Sequence, residues 1–280
     1  MIVNFDLSQL EKINSLNPSK FHAQFDTISN HVLYHLAIEK LWPIAVNPHT
    51  IVLTPEQKKH RTRCILSSMI QWDMNDKKLL DFGCGDGSLV ELALDNNINA
   101  IGYDPCVKNN TEFITNNWDD VVNNAPYDTI ICYDSLDHVL VDCHDLFCKL
   151  ADLLVHGGKM VMRLHPYTSI HGTHLYNTLN MAYIHLFLNG AQIRNLGGVE
   201  TKAFKTYNPE RYYTEMILKA NLHTLHKFIV RNELPSFIDQ NDMLDYLLPT
   251  FATDGIDTRQ KLRSVLSIEF MDICAHKLNS

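Results

Sequence analysis

The sequence predicts an α/β fold: a doubly wound, seven-stranded, mostly parallel sheet with an antiparallel last strand. From residue 78 onward, short apolar runs alternate with segments of helical spacing, the pattern of strands and helices around a parallel sheet. A glycine-rich turn follows the first of these runs. The 280 residues are 45% hydrophobic and 20% charged, so the chain has enough apolar mass for a full core.

The segment before the sheet, residues 1–75, has helical spacing. Apolar positions recur at about helical spacing between residues 26 and 42, and two prolines close that segment. Thr54 then precedes Pro55 in the pattern of an N-cap followed by the first helical position. We therefore expect an N-terminal helical extension.

Seven short apolar runs have the length and composition of strands. They are residues 78–82, 99–103, 112–115, 127–133, 158–165, 222–230 and 264–273. Four intervening segments have helical spacing, namely residues 88–96, 142–155, 209–219 and 237–248. We expect the last two strands to pair antiparallel at one edge of the sheet.

Charge and cysteine content exclude several classes of function. The chain has 24 Lys and Arg against 32 Asp and Glu, a net charge of -8, which disfavours broad binding to nucleic acid. Seven cysteines without a C-x-x-C pair indicate neither a disulfide framework nor a zinc knuckle. We found no leader pattern and no run of about 18 apolar residues, so we expect a cytoplasmic protein without a membrane span.

The glycine-rich turn is the most informative stretch. Gly83, Gly85 and Gly87 follow an apolar strand at alternate positions, so the chain can turn sharply and a ligand can approach without meeting a Cβ atom. Asp104 follows the second strand, where a carboxylate can accept hydrogen bonds from both hydroxyls of a ribose. Together these positions predict a nucleotide-like ligand.

The glycine spacing and the neighbouring charges indicate which nucleotide. A dinucleotide fingerprint requires a third glycine where this chain has Ser88. Asp81 and Asp86 would repel a pyrophosphate, whereas they suit a ligand with a positive centre and an ammonium group. S-Adenosylmethionine is therefore favoured over NAD, and a nicotinamide-dependent oxidoreductase is disfavoured.

Four motifs in order resemble those of the class I S-adenosylmethionine-dependent methyltransferases. They are residues 79–87, 102–105, 127–139 and 150–161. The resemblance covers about residues 77–165 and extends more weakly to residue 273. It implies S-adenosyl-L-methionine as cofactor and S-adenosyl-L-homocysteine as product. On this basis we expect a cofactor-binding half at residues 76–165, a substrate-cap insertion at 166–208 and the C-terminal half of the sheet at 209–280.

The resemblance also implies a set of cofactor contacts. Gly83 and Gly85 are expected to line the methionine end, and Asp104 to hold the ribose. Asn117 stands where the family usually offers an acidic side chain to the adenine amino group, with Asp119 as the rival. Cys84 is interpreted as a small apolar filler and not as a nucleophile. The full expected set is Asp81, Gly83, Cys84, Gly85, Gly87, Asp104, Pro105, Asn117, Trp118, Tyr133 and Asp134.

Histidines follow the fourth and fifth strands, where ligands bind in open α/β sheets. An imidazole there can deprotonate a hydroxyl or ammonium acceptor, although methyl transfer depends mainly on positioning. The catalytic candidates are His165, His138 and Tyr167. The expected substrate contacts are His138, Arg163, His165, Tyr167, His171 and His174. We expect no metal, because no local carboxylate or Cys completes a set with these histidines.

The sequence therefore predicts a metal-independent methyltransferase acting on a hydroxyl or amine of a small molecule: a metabolite, a sugar or a lipid precursor. Two alternatives stay open, an RNA methyltransferase acting on tRNA wobble uridines and a non-catalytic protein that binds S-adenosylmethionine. The sequence does not indicate an oligomeric state.

Overall fold

The computed structural model describes residues 54–70, 77–139, 143–170, 172, 183–195, 205–235, 238–239 and 241–278. The helix expected between residues 26 and 42 lies outside them. The chain divides into two compact units. The first unit contains the described residues within 53–164, 210–229 and 271–280, and the second contains those within 165–209 and 230–270.

The seven-stranded sheet has the order β3-β2-β1-β4-β5-β7-β6. Pairs β1/β2, β1/β4, β2/β3 and β4/β5 are parallel, and β5 pairs antiparallel with β7. The predicted fold class is therefore confirmed. The strands are β1 Lys78–Phe82, β2 Asn99–Tyr103, β3 Ile114–Thr115, β4 Tyr127–Tyr133, β5 Leu154–Leu164, β6 Leu222–Arg231 and β7 Ile268–Lys277.

The described helices are short, and none is long and apolar enough to cross a membrane. In chain order they are α1 Pro55–Ile70, α2 Ser88–Asp95, α3 Trp118–Asn123, α4 Cys143–Asp152, α5 Ile184–Phe187, α6 Gly190–Asn195, α7 Pro209–Lys219, α8 Asn241–Ala252 and α9 Arg259–Leu266. A short 3₁₀ turn, Leu136–His138, follows β4.

The core of the first unit fixes the carboxyl ends of the central strands. Leu80 of β1 pairs with Ile130 of β4 in parallel register, and both side chains are fully buried. Val90 and Ala93 of α2 are buried in a cluster with Leu79 of β1. This packing holds the glycine turn between β1 and α2 against the sheet, because both of its flanking elements are anchored in the core.

The second unit has an apolar core of its own, to which α5, α8 and α9 contribute. Leu244 and Phe251 of α8 are fully buried there, together with Leu262 of α9. The buried Tyr183 hydroxyl donates a hydrogen bond of 2.7 Å to the carbonyl of Leu266. The division of the chain into four segments, expected from the sequence, stays a prediction.

The C-terminal region differs from the expectation in one element. Residues 264–266, expected to begin a strand, are the end of α9, and β7 begins at Ile268. Thr258 caps this helix, because its side chain accepts a hydrogen bond from the Lys261 N–H. The last two strands are neighbours at one edge of the sheet, as expected, with β7 beside β5 and β6 outermost. All seven cysteines are free thiols in this structure.

Candidate functional site

A cavity of about 620 Å³ opens in the first unit at the carboxyl ends of β1, β2 and β4. Ligands of open α/β sheets bind at such ends. The cavity brings together six of the predicted site residues: Gly83, Asp104, Pro105, Trp118, Asp134 and His138. The other lining residues are Phe82, Tyr103, Cys106, Ser135, Val139, Leu146 and Lys149.

Backbone hydrogen bonds connect the glycine turn to β2. The N–H groups of Gly83 and Cys84 both donate to the Tyr103 carbonyl, at 2.7 and 3.1 Å. A Cβ atom on Gly83 would lie 2.3 Å from Cβ of Ser135, so this position cannot carry a side chain without displacing the end of β4. A Cβ on Gly85 would meet nothing within 4 Å. The turn thus has an open face that a ligand can approach.

Asp104 joins the end of β2 to this turn. Its Oδ2 atom accepts a hydrogen bond of 3.0 Å from the Gly85 N–H, and its Oδ1 atom accepts one of 2.8 Å from the Cys106 N–H. Two backbone donors therefore fix the orientation of a carboxylate that lines the cavity. Each carboxylate oxygen has a further lone pair for a ligand hydroxyl.

Asp81 lies at the end of β1 beneath the turn and is only 4% exposed. Burial, then the charges of Asp104 and Asp86, raises the pKa of its carboxyl group from 3.8 to about 7. Cys84 is also buried, and burial raises the pKa of its thiol to about 12, with Asp81 as the next cause. The thiol is therefore protonated at neutral pH, which supports its interpretation as an apolar filler.

Three aromatic side chains form one wall of the cavity. The rings of Phe82 and Tyr103 stack at 5.5 Å between centroids, and Trp118 meets the edge of Tyr103 at 5.4 Å. Phe82 and Tyr103 are the last residues of β1 and β2, so the parallel register places them side by side. This wall offers apolar and π surface to a planar ligand group.

Asn117 already uses its side chain locally. It is the N-cap of α3, where its Oδ1 accepts a hydrogen bond from the Asp119 N–H at 3.1 Å, and its Nδ2 donates to Asp120 Oδ1 at 3.3 Å. The expected contact to an adenine amino group stays a prediction. Trp118, the first residue of α3, is the neighbour that lines the cavity.

The chain turns sharply after β4. Asp134 has a φ of 52°, a left-handed conformation that is costly for a residue with a side chain and often found at functional sites. Its backbone N–H donates to the Arg163 carbonyl at 3.2 Å. The next residue, Ser135, is 8% exposed and lines the cavity, and its hydroxyl has no hydrogen-bond partner among the described residues. A buried hydroxyl at a cavity wall is suited to bind a polar ligand.

Tyr133 and Arg163 form a partly buried group beside the cavity. The Arg163 guanidinium lies 4.7 Å from the centre of the Tyr133 ring and donates two hydrogen bonds to Asp272, at 2.7 and 2.6 Å. Burial is the main cause that raises the pKa of Tyr133 above its usual value, so its phenol stays protonated near neutral pH. The substrate contact expected of Arg163 stays a prediction.

The remaining predicted residues either do not line the cavity or lie outside the described part of the chain. His165 and Tyr167 belong to the second unit. The His165 Nδ1 atom lies 3.2 Å from the Glu269 carbonyl oxygen. Tyr167 is buried, and its hydroxyl donates to the His185 carbonyl at 3.3 Å, a contact typical of a packed structural tyrosine. His171 and His174 lie outside the described residues.

Seven lining residues were missed from the sequence, although some carried a signal. Phe82 and Tyr103 end parallel strands, which is where such sheets bind ligands. Leu146 and Lys149 are three residues apart on α4, so they share one helix face. Ser135 had no signal of its own, because its role depends on its close packing against Gly83.

The site fits S-adenosylmethionine in three respects. Gly85 leaves the open face of the turn free of side-chain atoms, and Asp104 presents a fixed carboxylate for ribose hydroxyls. The Ser135 hydroxyl has no hydrogen-bond partner among the described residues, so it can bind a polar group of the ligand. The described residues contain no group of three or more His, Cys, Asp or Glu side chains arranged to hold a metal ion. Independence from metals stays a prediction.

The chain is similar in fold to several solved structures. Three similar solved structures are S-adenosylmethionine-dependent methyltransferases, the second of them putative. The protein from Archaeoglobus fulgidus is 17% identical, with 78% of this chain and 94% of that chain covered and a TM-score of 0.44. The protein from Listeria monocytogenes is 15% identical, with 79% and 97% covered and a TM-score of 0.45. The protein from Clostridium acetobutylicum is 14% identical, with 79% and 92% covered and a TM-score of 0.45.

No curated protein sequence matches the chain. A family model described as a methyltransferase domain matches residues 56–227, which is more than half of the chain and includes every residue that lines the cavity. The protein therefore belongs to this methyltransferase family and is an S-adenosylmethionine-dependent methyltransferase.

Proposed function

We propose that the enzyme methylates a hydroxyl or amine of a small molecule, such as a metabolite, a sugar or a lipid precursor. The observation that carries the proposal is the cavity of about 620 Å³, which holds both cofactor-binding residues and His138. This volume falls within the range of about 300 to 1,000 Å³ that is typical of small-molecule sites. The net charge of -8 supports a small acceptor over a polyanionic one.

When bound, the cofactor would supply an electrophilic methyl group, whose bond to the sulfonium sulfur breaks as the nucleophilic atom of the acceptor attacks the methyl carbon. The chain contributes mainly by positioning, since holding two reactants at attack distance accounts for much of the rate of such a transfer. Asp104 binds the ribose hydroxyls, and the open face of the turn at Gly85 admits the ligand backbone. The wall formed by Phe82, Tyr103 and Trp118 excludes water from one side.

His138 is the proposed general base, because it lines the cavity and follows the strand whose end borders the reaction centre. Its imidazole takes up the proton that an acceptor hydroxyl loses as the new bond to carbon forms, or the proton that an acceptor ammonium loses before its nitrogen attacks. His165, the residue that follows β5, remains a second candidate. The burial of Tyr167 favours a structural role for it.

The test is transfer of a labelled methyl group to a fractionated cell extract. The purified enzyme is incubated with methyl-labelled S-adenosylmethionine and either the small-molecule fraction or total tRNA. Label in the small-molecule fraction alone supports the proposal. Label in tRNA alone overturns it in favour of an RNA methyltransferase, and binding of S-adenosylhomocysteine without transfer to either fraction overturns it in favour of a non-catalytic role.

Once an acceptor is known, the role of His138 is tested with the variant His138→Ala. We expect about a hundredfold lower turnover with unchanged affinity for S-adenosylhomocysteine, since general-base catalysis contributes about 10²- to 10⁴-fold. His165→Ala is the matched variant. If only the second variant loses turnover, His165 and not His138 is the base.

A further inference from the structure

One wall of the cavity is built from residues outside the expected cofactor contacts. The glycine turn, Asp104 and the start of α3 supply those contacts. The segment of residues 138–149, which begins in the turn after β4 and runs into α4, contributes four other lining residues: His138, Val139, Leu146 and Lys149. None of these four is an expected cofactor contact, so this 138–149 wall is available to the acceptor.

The core of the first unit fixes the position of α4 in the 138–149 wall. Cys143, Phe147 and Leu150 of α4 are buried, and the last two have no exposed surface. Leu146 and Lys149 are three residues apart on the side that borders the cavity, which places their Cβ atoms about 5 to 6 Å from each other. The stem of Lys149 can therefore lie along Leu146 while its ammonium group stays in water.

Lys149 is the only lysine or arginine among the described residues that line the cavity. Its side chain is exposed. No ion pair between described residues includes it. An anionic group of a ligand can therefore bind this ammonium without first separating an ion pair within the described part of the protein.

The charge of the cofactor acts in the same direction. S-Adenosylmethionine has an ammonium, a sulfonium and a single carboxylate, so it is a net cation. The carboxylates of Asp104 and Asp134 also line the cavity, and the cationic groups of a bound cofactor would offset their charges. Cofactor and Lys149 would then both attract a negatively charged acceptor, because complementary charge increases the rate of encounter and selects between partners.

We infer that Lys149 binds an anionic group of the acceptor, a carboxylate or a phosphate. The acceptor is then a small acid, whose reacting hydroxyl or amine lies beside His138 and whose apolar part lies against Val139 and Leu146. The inference rests on the proposed function, because it concerns the same cavity and the same small-molecule acceptor. It adds the charge of the acceptor and the residue that recognises that charge.

Anion exchange of the labelled products tests the charge of the acceptor. After methyl transfer to the small-molecule fraction, we expect the labelled product to be retained on an anion-exchange resin, whereas unreacted S-adenosylmethionine, a net cation, passes through. Loss of retention after treatment with alkaline phosphatase identifies the anionic group as a phosphate, and continued retention identifies a carboxylate. A labelled product that is not retained overturns this inference alone. Absence of label from the small-molecule fraction overturns the proposed function as well.

Variants of Lys149 test the residue, with the acceptor recovered from the retained product as substrate. Lys149→Gln is expected to raise KM for the acceptor about tenfold, which corresponds to about 1.4 kcal/mol. Its kcat and its affinity for S-adenosylhomocysteine are expected to stay within about twofold of the wild type, since the lost contact is the same before and during transfer. Lys149→Arg keeps the positive charge and is expected to keep the KM of the wild type.

The matched control is Lys108→Gln, which changes an exposed lysine outside the cavity lining and is expected to leave KM unchanged. Added salt is expected to raise the KM of the wild type more than that of Lys149→Gln, because salt screens the exposed ammonium. An unchanged KM in Lys149→Gln overturns the inference. An equally large loss of affinity for S-adenosylhomocysteine also overturns it, because Lys149 would then bind the cofactor and not the acceptor.

Discussion

The carboxylate of Asp104 holds the backbone of Gly85, whose N–H donates to Oδ2 at 3.0 Å. The residue expected to bind the ribose therefore also shapes the turn that admits the rest of the ligand. Asp104→Ala is expected to weaken binding of S-adenosylhomocysteine by about a hundredfold or more, because hydrogen bonds to a charged group are each worth about 1.5 to 3 kcal/mol. Calorimetry measures the loss.

Asp95→Ala is the control for Asp104→Ala, since it removes an exposed carboxylate at the end of α2. It is expected to bind S-adenosylhomocysteine as the wild type does. Asp104→Asn keeps one acceptor oxygen. Its affinity for S-adenosylhomocysteine is expected to lie between those of the Asp104→Ala and Asp95→Ala variants. A normal affinity of the Asp104→Ala variant would remove this residue from the site.

Replacement of Gly87 by alanine is expected to destabilise the protein less when Ile114 is replaced by a smaller residue. A Cβ on Gly87 would lie 2.1 Å from Cδ1 of Ile114, and the backbone has a φ of +76°. The left-handed conformation alone costs about 1 to 2 kcal/mol for alanine, and the clash adds to it. Ile114→Val removes the Cδ1 atom, so the double variant is expected to be more stable than the sum of the single changes predicts.

Chemical denaturation of the four proteins of this cycle gives the free energies of unfolding. Gly85→Ala is the matched control, because its Cβ would meet nothing within 4 Å and only the conformational cost remains. We expect it to be less destabilised than Gly87→Ala. Strict additivity in the Gly87 and Ile114 cycle would mean that the clash is relieved in another way.

The parallel part of the sheet was predictable because its strands are continuous apolar runs. β1, β2 and β4 have the bounds that the sequence predicts, and their ends carry most of the cavity wall. Residues 264–266 were misassigned, since Val265 and Leu266 are apolar in either a strand or a helix. The cap at Thr258, six residues earlier, was the distinguishing signal.

The candidate site was predictable where the type of a residue and its place in the sequence together indicate its function. Glycines at a turn and a carboxylate after β2 are recognisable in sequence, and the cavity includes Gly83 and Asp104. The pairing of Arg61 with the lining residue Asp134 was not recognisable, because it depends on how α1 packs in the tertiary structure. The distance of 3.3 Å between Arg61 Nη2 and Asp134 Oδ2, atoms of residues 73 positions apart in the chain, is a property of the tertiary structure alone.

Stability is expected to depend on pH through Asp81, whose pKa is raised from 3.8 to about 7 by burial and by Asp104 and Asp86. Between these values the folded protein holds a proton on Asp81 that the unfolded chain has lost. The contribution of Asp81 to stability is therefore fully present below about pH 4 and is lost as the pH rises to about 7.

Asp81→Asn removes this titration without changing the shape of the side chain. The free energy of unfolding of the variant, relative to the wild type, is expected to rise by about 1 to 3 kcal/mol between pH 5 and pH 8. Urea denaturation at a series of pH values measures it. A difference that is constant over this range would show that the carboxyl group has the same pKa in the folded and unfolded chain.

The last prediction concerns Arg163 and Asp272, which join β5 to β7 through two hydrogen bonds. Arg163→Lys keeps the charge but cannot form both bonds, because an ammonium lacks the planar fork of a guanidinium. We expect a loss of about 1 kcal/mol in the free energy of unfolding. Asp272→Asn is expected to cost a similar amount, and the double variant less than the sum. Additive losses would mean that the two side chains act independently, which would favour the substrate contact predicted for Arg163 from the sequence.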